Sequence, residues 1–133
     1  MVDAVTSQTL VDDEKNVVMK FTNISDGTGE AAVAKVDVST LKEKGGDACS
    51  SVVIKKIVAD VNGMTVRVLW DATADVLCNV ISASGTYDFS DIPGIGGLEN
   101  NSGAGKTGDV LFTTNGHTNG DTYTIVLYMN KLY

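Results

Sequence analysis

The sequence predicts an all-β fold: a single-domain β-sandwich or jelly-roll-like barrel of about eight short, mostly antiparallel strands. Glycine occurs 14 times and proline once, valine and threonine are frequent, and the helix-building residues Glu, Lys and Leu are sparse. Turn signals rich in Gly, Asn and Asp recur between short apolar segments. Several of these segments alternate apolar and polar residues, which indicates half-buried strands. At 133 residues the chain has the length of one ordinary domain.

The first half of the chain contains three strand candidates and one short helix candidate. Residues 6–11 indicate an edge strand, and residues 16–22 a second strand with its alternate apolar side chains on one face. Residues 31–38 predict a third strand, in which the apolar side chains share one face and Lys35 lies on the other. Residues 40–43 carry a capping-box pattern, which predicts a helix of one or two turns at most.

An Asn-Gly pair at positions 62 and 63 predicts a β-hairpin with a type I′ turn. The hairpin register pairs Val61 with Met64 at the turn and collects the apolar side chains of both strands on one face. At its far end the same register places Lys55 across from Trp70, where the ammonium group would contact the indole ring.

The second half of the chain predicts three further strands. Residues 76–82 are mostly apolar and are expected to be buried on both faces. Residues 108–113 and 120–129 each begin with a Gly-Asp turn. In the last strand four side chains share one face and are predicted to enter the core: Tyr123, Ile125, Leu127 and Met129.

A long Gly-rich loop, residues 90–106, interrupts the regular spacing of strands and turns. Such connections are uncommon inside a compact domain and often carry function. Its apolar residues are Ile92, Ile95 and Leu98. Two interpretations stay open: the loop folds over a sheet edge and its apolar residues complete the core, or it presents them to a neighbouring subunit.

The charge of the chain disfavours nucleic acid as a partner. The formal net charge is −7, with 17 acidic and 10 basic residues, and the isoelectric point is about 4.4. Basic residues do not cluster beyond Lys55 and Lys56. The acidity favours solubility, and acceptance of a basic partner or of Ca²⁺ is the alternative explanation. Asp71 and Asp75 offer oxygen ligands, but their spacing is not that of an EF-hand.

The two cysteines, Cys49 and Cys78, are expected to be free and mostly buried, although one bridge between them stays open. Residues 1–6 have neither the basic nor the apolar region of a signal peptide. No apolar run reaches the length of a membrane span. We therefore expect synthesis in a cytoplasm and no membrane partner.

Two motifs suggest catalysis but are incomplete. Residues 103–107 read Gly-Ala-Gly-Lys-Thr, like the end of a phosphate-binding loop. However, Asn100 stands where that motif requires glycine, and a strand pattern follows where a helix is needed. His117 is the only histidine and is expected to be an exposed loop residue, although a spatial Ser-His-Asp site stays open. We assign no catalytic residue, no metal ligand and no cofactor.

The C-terminal region carries a family resemblance. Residues 107–114 read Thr-Gly-Asp-Val-Leu-Phe-Thr-Thr, and residues 120–127 read Gly-Asp-Thr-Tyr-Thr-Ile-Val-Leu. This block resembles small structural proteins of tailed bacteriophages, and within that group the chain is most similar to head decoration, or cement, proteins. The resemblance implies a non-enzymatic virion protein on the capsid exterior that binds the major capsid protein, stabilises the head, and self-associates, for example as a trimer.

A particle-stabilising protein needs contact segments, and the sequence offers two. The first is residues 1–11, a candidate contact arm, and the second is the loop of residues 90–106. The apolar residues of these segments are the predicted capsid or subunit contacts: Val2, Val5, Leu10, Ile92, Ile95 and Leu98.

Two other functional classes stay open. One is a carbohydrate-binding or adhesive β-sandwich module of a tail fibre or spike, for which Trp70, Tyr87, Tyr128 and Tyr133 are the candidate sugar-stacking rings. The other is a small hydrolase that uses a pair of carboxylates. The sequence does not select such a pair.

Overall fold

The computed structural model describes residues 4–93, 96–100 and 103–133, and it arranges them as two antiparallel β-sheets. The strands are β1 (Ala4–Asp12), β2 (Asn16–Ile24), β3 (Val33–Val36), β4 (Ser51–Asn62), β5 (Thr65–Trp70), β6 (Val76–Ile81), β7 (Gly85–Asp88), β8 (Val110–Asn115) and β9 (Thr122–Leu132). The first sheet has the order β1-β2-β9-β4-β7 and the second the order β3-β8-β5-β6. The predicted all-β sandwich is therefore confirmed.

The core lies between the inner faces of the two sheets. The four inward side chains predicted for the last strand are all buried, so this prediction is confirmed. Phe112 of β8 stands at the centre and makes two edge-to-face ring contacts. Its ring centroid lies 5.3 Å from that of Phe21 and 5.9 Å from that of Tyr123. These rings therefore join the middle strands of one sheet to the middle of the other.

The predicted hairpin at positions 62 and 63 is wrong. β4 pairs with β7 and β9, whereas β5 pairs with β6 and β8, so the turn connects the two sheets. Trp70 is buried opposite Val110, and Lys55 lies instead on the outer face of the first sheet. The alternation of apolar residues is the same in both arrangements, because two strands expose matching faces whether they pair side by side or face each other across a core.

Two other strand predictions need correction. Residues 31–38 form only the four-residue strand β3, and its register shifts between Ala34 and Val36. This irregularity turns Lys35 into the interior beside Val36. Strand β6 is not buried on both faces: as the outer strand of its sheet it exposes Leu77 and Val80.

The helix predicted at residues 40–43 is also wrong. The local structure is a single 3₁₀ turn, Val38–Thr40, whose N-cap is Asp37. The Asp37 side chain accepts a hydrogen bond from the Ser39 backbone N–H, at 3.0 Å. The capping chemistry thus acts three residues earlier than the capping-box pattern indicated, and the chain does not continue as an α-helix.

The predicted edge strand is confirmed as β1, which pairs with β2 and forms one border of its sheet. Its last residue, Asp12, forms an ion pair with the buried ammonium group of Lys131. The same ammonium group donates to the backbone carbonyls of Asp13, at 2.5 Å, and Lys42, at 3.0 Å. These contacts fix the β1–β2 turn to the C-terminal strand.

Both cysteines are free, as expected, with Cys49 buried and Cys78 half-buried. Burial raises the pKa of the Cys78 thiol to about 12 and also raises the pKa of Cys49. Because only the thiolate reacts, we expect Cys78 to be alkylated near pH 8 at least about a hundredfold more slowly than a free cysteine. Timed alkylation followed by mass spectrometry measures this rate, with the urea-unfolded chain as the control. Equal rates in the folded and unfolded states would contradict the prediction.

Candidate interaction surface

A groove of about 410 Å³ crosses the outer face of the five-stranded sheet near one end. Every strand of that sheet contributes to it, from β1 at one border to β7 at the other. Its lining includes Val11, Asn16, Lys55, Lys56, Asp88 and Tyr128.

A β-bulge places two lysines in this groove. Ile54 and Ile57 are both fully buried, and the register of β4 against β9 shifts between Ile54 and Lys56. Lys55 and Lys56 therefore both lie on the outer face, although neighbouring residues of a regular strand would point to opposite faces. The sequence already contains the signal, since two isoleucines separated by two lysines do not fit a period of two. Its use as a binding site was missed.

The two ammonium groups face one carboxylate. Lys56 is the register partner of Asp88, and its Nζ lies 4.5 Å from the ring centroid of Tyr128. Asp88 Oδ1 accepts hydrogen bonds from Ser90 Oγ at 2.6 Å and from Ser90 N at 2.9 Å. These hydrogen bonds lower the pKa of Asp88, and the charges of Lys56 and Lys55 add to the effect. At neutral pH the groove thus carries two positive charges and one negative charge.

The predicted contact residues lie at the two ends of this groove. Leu10 is exposed at the β1 irregularity, directly before Val11, which lines the groove. Ile92 is exposed two residues after Ser90, which lines the opposite end. Val5 is also exposed on β1, further from the groove. Val2 and Ile95 lie outside the described residues.

Leu98 has a different environment from the other predicted contacts. Its backbone pairs with Ile54, with N–H···O distances of 2.8 and 3.1 Å, and its half-buried side chain packs against the core. A Cβ at Gly97 would lie 2.6 Å from the Ile54 carbonyl oxygen, so only glycine allows this approach. This part of the loop covers an edge of β4, whereas Ile92 faces solvent.

A second polar cluster lies in the interior, at the opposite end of the sandwich. Glu30 forms an ion pair with Lys35, and both side chains are almost fully buried. The other oxygen of Glu30 accepts hydrogen bonds from Asn23 Nδ2 at 2.9 Å and from Tyr123 Oη at 2.5 Å. Asn23 and Tyr123 belong to one sheet and Lys35 to the other, so the cluster connects the sheets.

His117 is not the exposed loop residue that the sequence predicted. Its ring is half-buried, and Nε2 lies 3.1 Å from the carbonyl oxygen of Thr28. Because a carbonyl only accepts, Nε2 carries the proton, and Nδ1 accepts from the Thr114 hydroxyl at 3.2 Å. The imidazole therefore connects two loops, and the buried Thr114 hydroxyl also accepts from the Glu30 N–H.

The remaining sequence motifs form local turns. Lys106 N–H donates to the Gly103 carbonyl at 3.1 Å, and β8 follows, so residues 103–107 do not lead into a helix. The carboxylate of Asp71 accepts from Thr107 Oγ1 at 2.8 Å, and that of Asp75 from the Ala72 N–H at 3.2 Å. Among the residues that the structure describes, no three His, Cys, Asp or Glu side chains are grouped to hold a metal ion.

Comparison with known proteins gives no assignment for this surface. No protein-family model matches the chain, and no curated protein matches it. Within the described ranges, no helix has the length and apolar character needed to cross a membrane.

Proposed function

We propose that this protein is a non-enzymatic structural component of a bacteriophage particle, which binds the outer capsid surface and stabilises the head. The observation that carries the proposal is the convergence of the two contact segments on one groove of a five-stranded sheet. Exposed apolar groups beside a partly charged groove suit protein recognition, in which apolar anchors supply affinity and charges set the orientation.

The rigidity of this surface supports the same role. The strands behind the groove are fixed by the core and by the Asp12–Lys131 ion pair. A pre-organised surface loses little conformational entropy on binding, so a small protein of this kind is able to clamp neighbouring capsomers. Self-association, for example as a trimer, and contact with the major capsid protein are part of the proposal.

The aromatic side chains favour this role over the carbohydrate-binding alternative. Trp70 is fully buried, and Lys56 covers the ring of Tyr128. Tyr87 is half-buried and donates to the Ala83 carbonyl, which leaves Tyr133 as the exposed ring of the four candidates. A sugar-stacking platform normally presents open aromatic faces, so the proposed adhesive role is less well supported.

We expect the protein to co-sediment with phage capsids in a density gradient, at hundreds of copies per particle by quantitative mass spectrometry. The variant Leu10→Ser/Ile92→Ser is expected to lose at least about tenfold in occupancy, because each change removes an exposed aliphatic anchor. The matched control is Ile24→Ser/Leu77→Ser, which removes two exposed aliphatic side chains outside the groove.

Each alternative result has a distinct meaning. A few copies per particle would contradict the decoration role and indicate a tail fibre or spike, where saturable glycan binding is the next measurement. Absence from particles would overturn the virion proposal as a whole. Equal losses in the contact and control variants would disprove the assignment of the contact segments.

A further inference from the structure

We propose that the groove binds an acidic, extended peptide segment of the capsid protein, with its carboxylate between Lys55 and Lys56. This inference rests on the proposed capsid-binding function and identifies the chemistry of the partner. The segment would cross the strands of the sheet from the Leu10 end to the Ile92 end.

The first argument is charge. The chain carries a net charge of −7, yet the bulge in β4 brings two ammonium groups to the same groove. Within the described part of the chain, neither lysine forms an ion pair with a carboxylate. Asp88 is already held by Ser90, so it partly offsets the lysines without closing the site. A partner carboxylate would supply the missing counter-charge at this position.

The same balance selects against polyanions. Two lysines and one aspartate leave a local excess of one positive charge, which matches a single carboxylate. A phosphate dianion or a nucleic-acid backbone would meet both Asp88 and the negative field of the whole chain. Electrostatic complementarity of this limited kind fixes the register of a protein partner rather than attracting any anion.

The second argument is shape. Five strands at a spacing of about 4.8 Å give a groove roughly 19 Å long, which equals about six residues of extended chain. Asn16 and Asn130 face each other in the β2–β9 register, and both line the groove. A side-chain amide offers both donors and acceptors, which is what the backbone of an extended peptide requires.

The test uses the full chain and two synthetic probes. The first is an acetylated and amidated hexapeptide of alternating Glu and Val, and the second is the same peptide with Gln in place of Glu. NMR titration of the ¹⁵N-labelled protein at low salt is expected to shift the amides of Lys55, Lys56 and Tyr128. The Gln peptide is expected to bind at least about tenfold more weakly, since it lacks charge-assisted hydrogen bonds.

Protein variants test the lysines directly. Lys55→Gln/Lys56→Gln is expected to reduce affinity for the Glu peptide at least about tenfold, and Lys55→Arg/Lys56→Arg to retain most of it. The control Arg67→Gln/Lys106→Gln makes the same change in net charge outside the groove and should alter affinity less than about twofold. Equal binding of the two peptides, or an equal loss in the Gln and control variants, would overturn the inference. Tighter binding of an oligoglucuronate would overturn the peptide assignment in favour of an acidic sugar.

Capsid occupancy separates this inference from the proposed function. If the wild-type protein does not travel with capsids, the proposed function fails, and with it the capsid protein as the source of the peptide. If the wild-type protein is bound but Lys55→Gln/Lys56→Gln remains as abundant on capsids as Arg67→Gln/Lys106→Gln, the inference fails and the proposed function stands.

Discussion

Replacing Lys35 by Met is expected to lower the free energy of unfolding by about 3–5 kcal/mol. Lys35 is the partner of Glu30 in an ion pair whose two side chains are almost fully buried. Removal of the ammonium group leaves an uncompensated carboxylate in the interior, and water cannot replace the lost partner without opening the sandwich. The remaining hydrogen bonds from Asn23 and Tyr123 offset only part of this penalty.

Urea denaturation measures the effect, with Lys106→Met as the matched control on an exposed lysine. The double variant Glu30→Gln/Lys35→Met is expected to regain at least about 1 kcal/mol relative to Lys35→Met, because it removes the unpaired charge. A loss below about 1 kcal/mol for Lys35→Met, or no recovery in the double variant, would show that the buried pair does not hold the two sheets together.

The second large effect is expected for Gly108→Ala, with a loss of about 3 kcal/mol or more. Gly108 has φ +89°, in the left-handed region that favours glycine. A Cβ at this position would overlap the carbonyl oxygen of Ser50 and lie 2.9 Å from its carbonyl carbon. Both groups belong to the backbone, so the start of β8 and the start of β4 would have to separate.

The chain contains its own control for this experiment. Gly120 has φ +93° and also precedes an aspartate, but a Cβ there meets no atom within 4 Å. Gly120→Ala is therefore expected to cost only the backbone strain, about 1–2 kcal/mol. The difference between the two variants in thermal or urea unfolding isolates the close approach of Gly108 to Ser50. Equal losses would mean that backbone angle alone explains the conserved stability of both turns.

The buried cluster and the groove illustrate two uses of charge in one small fold. Glu30 and Lys35 are sealed between the sheets, where their pairing selects one packing of β3 against the neighbouring sheet. Lys55 and Lys56 stand on the opposite face of a sheet, near the other end, and remain open to a partner. The first pair contributes to stability, whereas the second pair is placed to contribute to recognition.

Sequence patterns predicted one half of the candidate site and missed the other. The contact segments were visible because apolar residues such as Leu10 and Ile92 occur where a strand edge and a Gly-rich loop expose them. The groove between them was not, since it is formed by residues from five strands that are distant in the chain. The two lysines of β4 joined it only through a bulge in the β4–β9 pairing.

The sequence by itself determined the all-β class and the inward face of β9, because composition and a period of two depend only on local order. The tertiary structure alone decided which strands are neighbours, and thus separated β4 from β5 despite a strong turn signal at Asn62. It also decided that Lys35 lies inside, where Glu30 is its partner. The physical reason is that alternation assigns a side chain to a face, whereas the partner of that face depends on long-range pairing and burial.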